Sequence, residues 1–141
     1  MIDSWGLVFL ILIIILVVVI AAVLIVQTGS SKLKITFGPK ACGNPFTGLG
    51  SSDGFIINGA SGKVLNLTRN MNYTFENTTS VPFYFTKNPG GGPGNAFQVH
   101  GTPDPWTNSK RTVNFPPETP EVIYYGSTNN NEFQGGTIVL F

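Results

Sequence analysis

The chain has 141 residues, of which only 11% are charged while 17 are Gly and 10 are Pro, which allows one small loop-rich domain with an appendage and leaves no room for two full domains. Its net charge of +1 excludes a general nucleic-acid binder, because phosphate binding needs clustered Lys and Arg. One cysteine, Cys42, and one histidine, His100, exclude a disulfide framework, a multi-Cys metal site and any site with two His ligands.

In chain order, residues 1–4 form a short flank and residues 5–26 are predicted as a transmembrane helix. Leu7 to Val26 carries no polar side chain, and its 20 residues span roughly 30 Å as a helix, the hydrocarbon thickness of a bilayer. Trp5 sits at one end, where an indole suits the headgroup region. A cleaved signal peptide has a shorter apolar core, roughly 7–15 residues, behind a basic start. Here the start is Met1-Ile2-Asp3-Ser4, with an acid and no base. The helix has no GxxxG and no internal ionisable group, so it reads as an anchor rather than a pairing face or an ion path.

Charge predicts the orientation. Lys32, Lys34 and Lys40 follow the helix, whereas the N-terminal flank is roughly neutral, so the domain is expected on the cytoplasmic side of a single-pass protein. Three sequons, beginning at Asn66, Asn72 and Asn77, point the other way. With 13 Asn and 23 Ser or Thr, chance alone supplies about two of them. A lone thiol also fits a reducing compartment.

Residues 27–31 read as a polar linker and residues 32–141 as one domain. Leu33, Ile35 and Phe37 alternate with Lys34 and Thr36, the period of a half-buried strand. Further short runs follow at Phe55–Asn58, Lys63–Leu67, Asn72–Glu76, Pro82–Thr86, Arg111–Phe115, Val122–Tyr125 and Thr137–Phe141. Gly, Pro and Asn punctuate them, which predicts an all-β antiparallel sandwich or Greek-key barrel. Val122–Tyr125 is continuously apolar, so it is expected inside a sheet.

Two loops stand out, Gly38–Gly54 and the Gly-rich Asn88–Asn95. The second lacks the Lys-Ser/Thr end and following helix of a phosphate loop and reads as a plain connection. Phe46 and Trp106, in Pro-rich surroundings, are candidate partner contacts unless they plug their own core. The acids show no paired spacing for general acid–base work, and Ser127 has only His100 as a potential base. No enzyme and no small-molecule substrate are expected.

Several segments carry a resemblance in fixed order: Leu65-Asn66-Leu67-Thr68-Arg69-Asn70, Tyr73-Thr74-Phe75, Val81-Pro82-Phe83, Tyr124-Tyr125 and Gly135-Gly136-Thr137-Ile138. Through these, Phe55 to Phe141 resembles the cupredoxin-like domain, in particular membrane-anchored versions found in large DNA viruses and phages. The resemblance implies a Greek-key β-sandwich behind the single transmembrane helix. It also implies a mononuclear copper site of one thiolate and two imidazoles with a weak axial thioether. The matching positions here are Val81 for the early His, then Ser127, Asn130 and Phe133 for Cys, His and Met. The Cys-x2-His-x2-Met spacing survives while every ligand type is gone, and one extra residue, Gln134, precedes the glycine pair. Neither a metal nor another cofactor is therefore expected, and Cys42 with His100 makes no substitute site. The resemblance points to a structural or interaction protein whose partners are a lipid bilayer and other structural proteins. Its viral members suggest a minor capsid protein that ties an internal virion membrane to the shell above it. The alternatives are a membrane-bound copper or electron-transfer cupredoxin and an outward-facing glycosylated adhesin or receptor-binding module.

Overall fold

The computed structural model describes residues 1–28, 31–94, 96–97, 99, 104–129 and 131–141, with residues 23–28 described by their backbone alone. One helix, α1 (Ser4–Thr28), is followed by nine strands. These are β1 (Ser31–Pro39), β2 (Asp53–Ile57), β3 (Ala60–Ser61), β4 (Leu65–Leu67), β5 (Asn72–Asn77), β6 (Tyr84–Thr86), β7 (Ser109–Asn114), β8 (Val122–Gly126) and β9 (Gly136–Leu140).

The uniformly apolar stretch gives α1 no polar face to turn towards water, and no residue of Ser4–Ala22 is buried in the protein. By length and composition the helix can cross a membrane. It begins one residue before the expected 5–26 segment and ends two beyond it; of the expected linker 27–31, positions 29 and 30 lie outside the described residues, and Ser31 already belongs to β1.

The strands form two sheets, ordered β3-β2-β1-β5-β7 and β4-β9-β8-β6. Alternation along each strand sends one set of side chains between them. Ile35, Phe55, Phe75 and Val113 come from the first sheet and Leu65, Phe85, Ile123 and Ile138 from the second, all in one buried cluster. Phe83 is its hub. Its ring centroid lies 5.1 Å from those of Phe55 and Trp106, 5.5 Å from Tyr125 and 5.9 Å from Phe85. Edge-to-face and offset ring contacts of this kind add to the area each aromatic buries.

The expected all-antiparallel pairing is corrected by two parallel pairs. β1 runs beside β5 with Ser31 opposite Tyr73, and β4 runs beside β9 with Leu65 opposite Ile138. Each pair joins strands distant in sequence. The chain crosses between the sheets in the interval, so no hairpin turn dictates their direction.

The registers define two ends of the sandwich. Ser31, Asn72 and Asn114 lie at the end where the chain enters from α1, called here the entry end. Leu67, Leu140 and Val122 join them from the second sheet, tied on by Asn70 N–H, just past β4, donating at 2.9 Å to the carbonyl of Phe115, just past β7. Pro39, Asp53, Tyr84, Gly126 and Gly136 lie at the far end.

Candidate functional site

β6 and β8 are antiparallel with Tyr84 opposite Gly126, so Val81 before one strand and Ser127 after the other fall at the same, far end. The loop carrying Phe133 returns to β9 there as well. The first sheet meets this loop through its backbone: Ser51 N–H donates to the Glu132 carbonyl at 2.9 Å, and Phe55 N–H to the Gln134 carbonyl at 2.6 Å. Three of the four positions matching the copper ligands are thus brought to one end. The fourth, Asn130, lies outside the described residues, as does His100.

What occupies this end is a closed polar pair. The Ser127 hydroxyl donates to Gln134 Oε1 at 2.5 Å, and both residues are buried. Asn129 adds two bonds, its N–H to Ser127 Oγ at 3.2 Å and its side-chain amide to Gln134 Oε1 at 3.3 Å. Gly92 N–H caps the Ser127 carbonyl at 3.3 Å. Within the Gly-rich segment read as a plain connection, Gly90, Gly91 and Gly92 therefore lie buried against the end of β8. Gly91, at φ +74°, passes so close to the Ser127 carbonyl that a Cβ would collide with it. Sequence reasoning missed the role of Gln134. Its signal was the one-residue excess in spacing before Gly135.

Val81 is half-buried against the core, with its carbonyl accepting from Asn77 Nδ2 at 2.9 Å. Phe133 holds a positive φ of +49°, uncommon for a bulky side chain, and stacks edge-on against Phe46 at 5.6 Å. A hydroxyl already spent on an amide carbonyl, an alkyl group and a phenyl ring do not fit a trigonal copper site, which needs a thiolate and imidazoles. Cys42 is exposed in the 40–52 loop. Among the described residues, no three His, Cys, Asp or Glu side chains come together.

The two candidate contacts separate. Phe46 is half-buried at the far end, in a loop held by Lys40, whose ammonium donates to the Phe46 and Leu49 carbonyls at 3.2 and 2.5 Å. Burial lowers the Lys40 pKa and the Glu132 carboxylate pulls it partly back. For Trp106 the structure selects the core alternative over the partner contact. The residue is 3% exposed and packs on Phe83 and Phe85, so its ring fills the core and offers nothing to a partner. Two shallow pockets sit towards the far end. One, of about 300 Å³, is lined by Lys40, Thr47, Gly48, Gly50, Ser51 and Ser52; the other, of about 250 Å³, lies between Glu76–Thr78 and Asn108–Lys110.

Of the anchor residues, Trp5 and Leu7 are exposed along α1, and Val26 lies on its described backbone. The sequons also separate. Asn66 and Asn72 are exposed, whereas Asn77 is buried.

No family model matches the sequence, and no curated protein matches it. Among solved structures the chain is similar to one described as a novel purple cupredoxin from Nitrosopumilus maritimus. That alignment covers 79% of this chain and 100% of the other, with 19% identity and a TM-score of 0.43. The architecture is an all-β sandwich of two mixed sheets behind one apolar N-terminal helix able to span a membrane.

Proposed function

We propose that this chain is a non-enzymatic, membrane-anchored interaction protein that presents the far end of its sandwich to a protein partner. In its most specific form it is a minor capsid protein, linking an internal virion membrane to the capsid shell, with the domain on the side marked by Lys32 and Lys34. The observation that carries the reading is the Ser127–Gln134 pair. The end of the fold where a ligand set or a nucleophile would be needed is closed, among the described residues, by hydrogen bonds between neutral side chains. What remains there is surface: the half-buried Phe46, the Lys40 loop and two shallow pockets. Catalysis, nucleic acid and small-molecule substrates have no part in this reading.

Crosslinking mass spectrometry on the native membrane or particle, before detergent, tests it. Reproducible crosslinks from Lys40, Lys87 or Lys110 to one abundant shell-forming protein are expected. Crosslinks to redox proteins, or one equivalent of bound copper with a strong visible band, would replace it with the electron-transfer reading. Glycans on the exposed Asn66 or Asn72 would replace it with an outward-facing adhesin.

A further inference from the structure

Five large apolar side chains of the sandwich are exposed among the described residues: Leu49, Val64, Met71, Val122 and Phe141. Three of them gather at the entry end. Met71 (44% exposed) precedes the first residue of β5, Val122 (46%) opens β8, and Phe141 (68%) follows β9. Backbone bonds hold the segments that carry them together. Phe141 N–H donates to the Leu67 carbonyl at 3.0 Å, Asn70 N–H to the Phe115 carbonyl at 2.9 Å, and Leu140 N–H to the Glu121 carbonyl at 2.8 Å. The Arg69 guanidinium sits between them, spent on the Thr119 and Leu140 carbonyls.

Chain length fixes what this end faces. From Thr28, the last residue of α1, to Ser31, the first of β1, the chain reaches at most about 11 Å. A helix of 25 residues is about 37 Å long, against about 30 Å of hydrocarbon and about 40–45 Å of bilayer with its headgroups. With α1 across the bilayer, Ser31 starts at headgroup level, and the end of the sandwich that carries it has no depth of water beneath it.

We infer that the entry end is a lipid-contact surface, with Met71, Val122 and Phe141 resting at the headgroup–acyl boundary of the bilayer that holds α1. Arg69 is already spent on backbone carbonyls, and the exposed large side chains that mark this end are apolar. The contact is therefore apolar, forms on zwitterionic lipid and tolerates salt. It seats the domain at a fixed tilt with its far end pointing away from the membrane. The inference rests on the membrane reading of α1, and the experiment separates the two.

The full chain is reconstituted in phosphatidylcholine nanodiscs that contain nitroxide-labelled lipid. A fluorophore is placed on native Cys42 at the far end or, in a Cys42→Ser background, on Met71→Cys, Val122→Cys or Leu12→Cys. All three sandwich positions are exposed, so labelling leaves the core intact. The expected result is quenching by lipid nitroxide at positions 71 and 122, with iodide access several-fold below that at Cys42. Quenching at Leu12 alone, with 71 and 122 as open to iodide as Cys42, overturns the inference and leaves the anchor standing. Protection from iodide without lipid quenching at 71 and 122 also overturns it, since a second protein copy then covers the patch. No lipid quenching at Leu12 removes the anchor and the inference together.

Discussion

Asn77 is 1% exposed and uses all four of its side-chain hydrogen-bonding positions. Its amide nitrogen donates to the Val81 and Trp106 carbonyls at 2.9 and 2.7 Å, and its oxygen accepts from the Thr79 N–H and hydroxyl at 3.0 and 2.8 Å. One side chain thereby ties the end of β5 to the start of the β6 segment and to the Trp106 bridge ahead of β7. Asn77→Ala is expected to cost about 3 kcal/mol in urea unfolding, because it deletes these bonds from a site water does not reach. The nitrogen that would carry a glycan is the one spent on two carbonyls. Expressed in a glycosylating host, the folded protein should carry no sugar on Asn77, as glycosidase treatment and intact-mass measurement would read. Tyr125 is the other residue with a consequence of its own. Its phenol is buried and donates to the Lys63 carbonyl at 2.8 Å, and burial pushes its pKa well above the usual tyrosine value. The unfolded chain ionises this group near pH 10 while the folded one keeps its proton. Above that pH the unfolded state binds fewer protons, so the stability present below it falls as pH rises towards the folded value. Tyr125→Phe is expected to flatten that alkaline fall and to cost about 1 kcal/mol at neutral pH.

Among the elements, the β8–β9 hairpin is the least tolerant. A Cβ on Gly135 would fall on the Tyr125 carbonyl, and one on Gly136 would enter the Tyr125 ring. Gly135→Ala should therefore destabilise the domain by about 3 kcal/mol, seen as a lower urea midpoint at an unchanged slope. Most strands were legible before the structure because their signal is local. Leu33, Ile35 and Phe37 alternate as β1 requires, Val113 and Phe115 share a buried face, and β8 lies inside its sheet as its continuous apolar run implies. The two-residue β3 is too short to leave a pattern. The parallel pairings of β1 with β5 and of β4 with β9 were not legible, since pairing across distant sequence leaves no trace in either strand alone. Trp106 stayed open between a partner contact and its own core because a Pro-rich setting is typical of loop tips, and its ring contacts with Phe83 and Phe85 decide for the core. At the far end, the loss of ligand types could be read at Ser127, but its replacement by a Ser–Gln pair could not. Gln134 reaches Ser127 only once the hairpin is folded.

The whole molecule joins a helix of membrane length to a sandwich through one strand, and that strand lies inside its sheet, with β2 on one side and β5 on the other. β1 runs nine residues, from the entry end to the Lys40 loop, about 30 Å at a strand's rise. A partner gripping the 40–52 loop and a bilayer gripping α1 would hold the two ends of a single, already extended stretch of backbone. Tension between them then passes along covalent bonds, and the sheets around β1 carry none of it. Stretching β1 from its strand rise to full extension releases only about 3 Å, so such a tie neither yields nor unravels. Optical-tweezer handles attached before α1 and at Cys42 should show no unfolding step in the sandwich. Moving the second handle to Phe141 should restore one, because the load then has to cross from sheet to sheet.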